Sequence, residues 1–337
     1  MKQPHSPMTL MKSARGFMES RILLSAAELD LFTLIENKPM RAEEIADVKQ
    51  LDLRGATILL DALASLGFLI KEKETYRSEP SVGAMLSSDN PDSVLPMVLH
   101  MATLWRTWSH LSDIVCGKMT PGVEKKSVLE EKNYRAFIGA MHAVGSRSAP
   151  EVVAAVRPGD SKKLLDVGGG SGTYTLAFLQ ACPDMRATLF DLPKVIELAR
   201  ERVEQSNMTQ RVELIAGDFY RDPLPDGHDM ALLSAIIHQN SLEQNQRLFH
   251  SVHRALTPGG RIIVRDHVMS EDRTRPTEGA VFAVNMLAGT PGGRTYTFEE
   301  IKTGLENAGF ISVNQLQSKG MFSLVEGVKP AAEEESR

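Results

Sequence analysis

The sequence has few cysteines, no long apolar run and no excess of positive charge. Its two cysteines, Cys116 and Cys182, lie far apart and in no metal-ligand spacing, so we expect neither a disulfide framework nor a metal site. No apolar run approaches the roughly 20 residues of a transmembrane helix, and the first residues lack the apolar core of a signal peptide. The net charge of −5 suggests no general affinity for nucleic acid or anionic lipid. We therefore expect a cytoplasmic protein with no membrane or nucleic-acid partner.

The 337 residues are enough for two domains, and the first part of the chain predicts mainly helices. Three helices and a two-stranded hairpin up to about residue 78 form a winged-helix pattern, which raises a DNA-binding regulator as one hypothesis. Residues 41–73 carry five Lys and Arg against six Asp and Glu. This net negative charge disfavours DNA and favours a protein–protein interface.

From residue 163 onward, short apolar strands alternate with helices. This alternation predicts an α/β fold with a doubly wound, mostly parallel sheet covered by helices on both faces. The last two strands, joined by Ser-Lys-Gly, should pair as a hairpin. We divide the chain into a winged-helix-like domain (1–110), a helical connector (111–150), an α/β domain (151–330) and a disordered tail (331–337).

A glycine-rich turn follows the first strand of the α/β domain. In "KLLDVGGGSGTYT", the residues Gly168, Gly170 and Gly172 lie between a strand and a helix, where bare backbone can approach a ligand. The turn has no P-loop lysine, so a triphosphate is a poor fit.

Three acidic residues, Asp166, Asp191 and Asp218, lie at successive strand ends around this turn. Asp191 can accept both hydroxyls of a ribose, and Asp218 can accept from an adenine amino group while Phe219 packs on the ring. Asp166 can receive an ammonium group. A single such acid is often only a helix or turn cap. Three of them around one glycine turn favour a cationic ligand that contains adenosine.

These motifs together resemble the small-molecule O-methyltransferases that use S-adenosylmethionine, such as plant caffeate and flavonoid, hydroxyindole and bacterial polyketide enzymes. The resemblance is carried by "LLDVGGGSGTY", "FDLP", "GDFY", "PGGRIIVRD" and "GFISVNQL", and it covers nearly the whole chain. It implies a seven-stranded sheet of the class I methyltransferase type, an N-terminal dimerisation domain and a homodimer. It also implies methyl transfer from S-adenosylmethionine, without a metal, to a hydroxyl of a small aromatic or polyketide-like molecule. Leu192 and Ser234 complete the predicted cofactor site.

The apolar run "LLSAIIHQNS" ends at a candidate base, His238. A phenol has a pKa near ~10, and histidine, near ~6.5, is suited to accept its proton. The family carries its base here in a His-Asp-Trp motif, which this chain replaces by His238, Gln239 and Asn240. Asp266, at the end of the fifth strand, is the candidate orienting residue, where the family has a glutamate. The family's second glutamate aligns with Thr295.

These departures leave alternatives open. The acceptor atom can be carbon or nitrogen on the same fold, or the chain can be a catalytically inactive, S-adenosylmethionine-binding regulatory protein. His238 can also be a polar surface residue at the end of a strand, without a catalytic role.

The helical segments predict an apolar wall around the acceptor. The predicted acceptor-binding residues are Trp108, Phe137, Met141, Asn285 and Met286. Aromatic and methionine side chains suit a flat apolar molecule, although the same residues can equally be core or dimer contacts. Asn285 stands among apolar neighbours, and a buried amide needs partners, so an acceptor oxygen can be one of them. Arg147 and Arg265 are weaker candidates for binding a carboxylate.

Overall fold

The structure is a computed structural model that describes residues 6–36, 38–90, 93–122, 131–318 and 322–332. The chain forms two compact units, one of Met1–Arg106 with Lys132–Ala143 and one of Thr107–Glu131 with Val144–Arg337. The domain boundaries drawn from the sequence stay a prediction. Within these ranges, no helix has both the length and the apolar character needed to cross a bilayer.

The first unit combines helices with a small antiparallel sheet. The helices are α1 (Pro7–Glu28), α2 (Leu31–Leu34), α3 (Ala42–Lys49), α4 (Leu53–Ser65), α5 (Pro80–Leu86) and α6 (Leu95–Ser109, whose last three residues belong to the second unit). The strands β1 (Met40–Arg41), β2 (Leu69–Glu72) and β3 (Thr75–Ser78) pair in the order β1–β3–β2. The hairpin expected from the sequence is β2 with β3, and β1 adds a short third strand that the sequence did not predict.

Amphipathic spacing explains the core of this unit. Helix α4 begins where the carboxylate of Asp52 accepts a hydrogen bond from the Gly55 amide at 2.7 Å. Leu60 and Leu63 lie on its apolar face and pack with buried residues that include Phe32.

The second unit is the predicted α/β domain. Its helices are α7 (Leu111–Val115), α8 (Glu131–Val156, shared with the first unit), α9 (Thr173–Ala181), α10 (Pro193–Gln205), α11 (Leu242–Ala255), α12 (Thr277–Gly289) and α13 (Phe298–Asn307). Its strands are β4 (Lys163–Val167), β5 (Arg186–Asp191), β6 (Val212–Ala216), β7 (His228–Ser234), β8 (Leu256–Asp266), β9 (Val268–Met269), β10 (Tyr296–Thr297), β11 (Ile311–Ser318) and β12 (Ser323–Val328).

The main sheet has seven strands in the order β11–β12–β8–β7–β4–β5–β6, and β9 pairs separately with β10. Strands β4 to β8 are parallel, whereas β12 runs antiparallel to β8 and to β11. The predicted fold class and the terminal hairpin are therefore confirmed.

The two faces of this sheet bury two separate apolar clusters. Leu164 and Ile263 belong to one cluster, and the next residues along each strand, Leu165 and Val264, belong to the other. This alternation is the period of two expected for a strand buried on both faces. The carboxyl ends of the parallel strands meet at one edge, where ligands bind in folds of this type.

Candidate active site

The glycine turn between β4 and α9 needs glycine at particular positions. Gly168, Gly170 and Gly172 all adopt positive φ, at 70°, 59° and 81°. A Cβ atom added at Gly168 would lie 2.4 Å from Cδ1 of Ile236 and 3.6 Å from Cε1 of Phe219. The turn is therefore closely packed, and Phe219 lies beside it.

Asp166 lies beneath this turn with one carboxylate oxygen unused. It is buried, and its Oδ2 accepts a hydrogen bond from the Thr175 hydroxyl at 2.6 Å. In the part of the chain that the structure describes, no group donates to Oδ1. Burial raises the pKa of the Asp166 carboxyl to about 6, although the hydrogen bond from Thr175 opposes this. An unused acceptor in a buried carboxylate suits a ligand that brings a positive charge.

Asp191 connects the second parallel strand to the glycine turn. Its Oδ2 accepts from the Gly170 amide at 2.8 Å, and its Oδ1 accepts from the Leu192 amide at 2.7 Å. Burial raises the pKa of Asp191, and these two amide hydrogen bonds act in the opposite direction. The side chain of Leu192 is exposed. The carboxylate thus holds the turn in place while its remaining lone pairs stay available for ligand hydroxyls.

Asp218 lies two residues beyond β6, in a turn closed by side-chain contacts. Its backbone amide donates to Asp222 Oδ2 at 2.7 Å, and its Oδ1 accepts from the Tyr220 amide at 3.0 Å. The rings of Phe219 and Tyr220 are 4.5 Å apart. The structure therefore places the predicted adenine-side residues around a single loop.

His238 and Asp266 are in direct contact. The His238 Nδ1 atom lies 2.8 Å from Asp266 Oδ1 and 3.1 Å from Oδ2. The sequence predicted that His238 ends a strand, and this is wrong. Strand β7 stops at Ser234, and His238 lies in a 3₁₀ turn at Ile237–Gln239. Its ring meets the Phe282 ring edge-on at 4.9 Å between centroids.

The environment of Asp266 keeps it ionised. Burial alone would raise its pKa, but the charge and hydrogen bond of His238 and the His267 amide bring it below its ordinary value. An ionised carboxylate only accepts hydrogen bonds, so Nδ1 of His238 carries the proton and Nε2 is the basic atom. This is the arrangement of a general base with an orienting partner.

Asn240, the second residue after His238, has a structural explanation. Asn240 is fully buried; the Tyr220 hydroxyl donates to its Oδ1 and the Tyr296 hydroxyl donates to its carbonyl. Its Nδ2 donates to Asn245 Oδ1 at 2.9 Å, and Asn245 Nδ2 donates to the Ile237 carbonyl at 3.0 Å. This network, which was not predicted from the sequence, connects the Asp218 loop to the turn that carries His238.

We expect the Asn240→Leu variant to lose about 1–3 kcal/mol of unfolding free energy, because buried donors and acceptors are left unsatisfied. Urea denaturation checks this. The matched control is Asn314→Leu, at an exposed position on β11, which should change stability by less than about 0.5 kcal/mol. Equal stability of the two variants would show that the network is not stabilising.

The predicted acceptor-binding residues do not all lie in the same unit of the chain. The Trp108 indole N–H donates to Asn285 Oδ1 at 3.0 Å, and Met286 is buried one residue further along α12. Met141 belongs to the first unit and is exposed. The side chain of Phe137 lies outside the described part of the structure. Only Trp108, Asn285 and Met286 are therefore seen together in the second unit.

The seven-stranded doubly wound sheet, with a glycine turn after β4 and a histidine–carboxylate pair after β7 and at the end of β8, is that of a class I methyltransferase. The comparisons with known proteins agree. A family model described as an O-methyltransferase domain matches residues 120–311, and one described as an O-methyltransferase dimerisation domain matches residues 11–88.

Several relatives match almost end to end. The chain is 33% identical to the tetracenomycin polyketide synthesis 8-O-methyl transferase of Streptomyces glaucescens, over 97% of this chain and 99% of that protein. It is 31% identical to the 3-hydroxy-5-methyl-1-naphthoate 3-O-methyltransferase of Streptomyces sahachiroi, over 96% and 95%. A solved structure of human N-acetylserotonin methyltransferase in complex with S-adenosylmethionine superposes with a TM-score of 0.83 at 25% identity, over 98% of this chain and 100% of that one.

The chain belongs to the O-methyltransferase family whose members use S-adenosylmethionine. The resemblance, the enzyme class and the cofactor predicted from the sequence are confirmed. The roles of individual site residues stay predictions.

Proposed function

We propose that this enzyme methylates a hydroxyl of a small aromatic or polyketide-like molecule, with His238 as the general base and Asp266 as its orienting residue. The 2.8 Å contact between His238 Nδ1 and Asp266 Oδ1 carries the proposal, since it leaves Nε2 as the basic atom. The names of the two Streptomyces relatives, a polyketide and a naphthoate O-methyltransferase, support this class of acceptor.

The residues at the strand ends fit S-adenosylmethionine. The glycine turn lets backbone approach the ligand, Asp191 and Asp218 have the chemistry to hold ribose and adenine, and the unused oxygen of Asp166 suits its ammonium group. When bound, the cofactor supplies a methyl group on a positively charged sulfur, which is already activated for displacement.

The chain has two tasks in this reaction, alignment and proton removal. Nε2 of His238 accepts the proton of the acceptor hydroxyl, and Asp266 stabilises the imidazolium that results. Phe282 packs against the His238 ring and limits its rotation. Gln239 and Thr295 stand where the family has carboxylates, and neither is an acid. His238 and Asp266 therefore work without a second acid.

Asn285 gives the acceptor site a defined polarity. The Trp108 indole N–H is only a donor, so the amide oxygen of Asn285 must face it. The Nδ2 group then points away from the indole and can donate to an acceptor oxygen. This orientation favours aromatic acceptors that carry a carbonyl or carboxylate.

The reaction is tested by incubating the protein with methyl-labelled S-adenosylmethionine and a panel of naphthols, hydroxyindoles and phenolic polyketides. We expect the label on oxygen, and acceptors whose hydroxyl is already methylated should remain unlabelled. Label on carbon or nitrogen alone would contradict the proposal. Cofactor binding without turnover of any acceptor would instead favour a regulatory protein.

Binding of S-adenosylhomocysteine should weaken as the pH falls through about 6, because protonated Asp166 no longer attracts the ligand's ammonium group. Isothermal titration calorimetry between pH 5 and pH 8, values on either side of the pKa of about 6, checks this. The Asp166→Asn variant should bind more weakly at high pH, with this pH dependence removed. An unchanged pH profile in that variant would assign the titration to another group.

We also propose that the protein is a homodimer formed through its N-terminal unit. The match to a dimerisation domain supports this, and helix α1 exposes a group of large apolar side chains that include Met8, Leu10, Met11, Phe17 and Met18. Sedimentation equilibrium should give twice the chain mass, and Phe17→Glu should shift it towards the monomer. A monomeric wild-type protein would contradict this. The cytoplasmic location stays a prediction.

A further inference from the structure

Arg265 is a buried cation without a counter-ion among the described residues. Its side chain lies at the end of β8 and the residue is 7% exposed. The guanidinium carbon is 3.9 Å from the ring centroid of Phe322 and 4.8 Å from that of Tyr174. Its Nη1 donates to Ser234 Oγ at a long 3.4 Å. The guanidinium thus packs against two aromatic rings, and no carboxylate of the described residues forms an ion pair with it.

The adjacent carboxylate, Asp266, does not serve as that counter-ion. Successive residues of a strand point to opposite faces, and Asp266 points to the face that carries His238. A buried charge that lacks a partner is unfavourable, so such residues are usually paired or bind a ligand.

Arg265 shares its face of the sheet with two residues of the cofactor site. Arg265 pairs with Ser234 across β8 and β7, and Asp166 pairs with Leu232, two residues before Ser234. Leu232 belongs to the apolar cluster on this face, and so does Ile263, two residues before Arg265. Asp166, Ser234 and Arg265 therefore lie on one face of the sheet near its carboxyl edge, with Ser234 and Arg265 two residues further along their strands than Asp166.

This face carries opposite charges on two strands, β4 and β8, that have β7 between them. Asp166 has an unused carboxylate oxygen, and among the described residues the Arg265 guanidinium donates only the long hydrogen bond to Ser234. Their strands are two inter-strand intervals apart, about 10 Å, and Arg265 lies two residues further along its strand. The two backbones are therefore about 12 Å apart, and the long arginine side chain shortens that gap. An α-amino acid group, with its ammonium beside its carboxylate, matches this arrangement of charge.

We propose that Arg265 binds the α-carboxylate at the methionyl end of the cofactor, while Asp166 binds the neighbouring α-ammonium. The inference rests on the enzyme's use of S-adenosylmethionine. Arg265 holds the carboxylate through charge-assisted hydrogen bonds from the edge of its guanidinium, and Tyr174 and Phe322 fix the plane of that group. It is a binding residue for the cofactor and has no part in the proton transfer.

The test compares two ligands by calorimetry: S-adenosylhomocysteine, which has the amino acid end, and methylthioadenosine, which lacks it. Arg265→Met should weaken S-adenosylhomocysteine binding by about 10- to 100-fold and leave methylthioadenosine binding unchanged. Arg265→Lys, which keeps the charge but not the planar fork, should fall between. The control Arg261→Met, on the same strand but paired with Glu326 at 2.6 Å, should bind both ligands as the wild type does.

Three outcomes would overturn the proposal. Equal weakening of both ligands would show a general structural role. Unchanged S-adenosylhomocysteine binding would assign Arg265 to another anion, such as an acceptor carboxylate. Failure of the wild-type protein to bind S-adenosylhomocysteine would overturn the cofactor assignment itself, and this result is distinct from the other two.

A thermal unfolding measurement separates binding from folding. Because the lone buried cation is unfavourable without ligand, Arg265→Met should keep or raise the ligand-free Tm. The rise in Tm that saturating S-adenosylhomocysteine produces in the wild type should shrink in this variant. A lower ligand-free Tm together with an undiminished ligand-induced rise would contradict the inference.

Discussion

Replacing His238 by alanine should lower kcat by about 100- to 10,000-fold, the range that a positioned acid or base contributes. The imidazole is the group that the Asp266 carboxylate orients, so in the proposed mechanism it takes the hydroxyl proton. Affinity for S-adenosylhomocysteine should change little, because the cofactor residues lie on the glycine turn and on neighbouring strand ends. Steady-state kinetics with labelled cofactor and calorimetry together measure both quantities.

The matched control for this variant is His250→Ala. His250 lies exposed on α11, where its ring contacts Gln246 of the same helix, so its loss should leave kcat unchanged. If His238→Ala turns over at the wild-type rate, the reaction relies on alignment alone and the assignment of the base is wrong. A parallel loss of cofactor affinity would indicate instead that the turn at 237–239 had moved.

Replacing Asp266 by asparagine should lower kcat by about 10- to 100-fold, the usual cost of removing a partner that orients a functional histidine. The carboxylate accepts from His238 Nδ1, from the His238 amide at 3.3 Å and from the His267 amide at 2.7 Å. An asparagine has a single acceptor oxygen and cannot satisfy these three donors. The ring of His238 would then lose its fixed orientation and its preferred tautomer.

The double variant makes this prediction sharper. If Asp266 acts only through His238, then His238→Ala with Asp266→Asn should be no slower than His238→Ala alone, since residues that act as a unit are not additive. Multiplied losses in the double variant would show that Asp266 has an independent role. The measured quantity is kcat at saturating cofactor for the wild type and the three variants.

The glycine turn and the acids near it could be located from the sequence because they are local in sequence or lie near strand ends, while their role in binding the cofactor stays a prediction. Gly168, Gly170 and Gly172 form one turn, and Asp166 and Asp191 end parallel strands, whose carboxyl ends meet at one edge of the sheet. Alternation of apolar strands and helices likewise predicted the doubly wound sheet.

The Asn240 network was not predictable, because it depends on which side chains tertiary packing brings together. Tyr220 is 20 residues away in the chain and Tyr296 is 56, and neither carries a sequence signal for contact with an amide. The hydrogen bond from Trp108 to Asn285 spans 177 residues. The family's His-Asp-Trp motif therefore could not explain why this chain has Asn240 at the position of the tryptophan.

The side chains of Arg265 and Asp266, at the end of β8, point to opposite faces of the sheet. These last two residues of the strand have different proposed roles: Asp266 orients the base on one face of the sheet, and Arg265 binds the cofactor on the face that includes Asp166. A single inserted or deleted residue upstream in this strand would exchange their directions, so that the cation would enter the proton-transfer side and the anion would leave it. The enzyme should therefore tolerate substitutions along β8 far better than changes in the length of this strand.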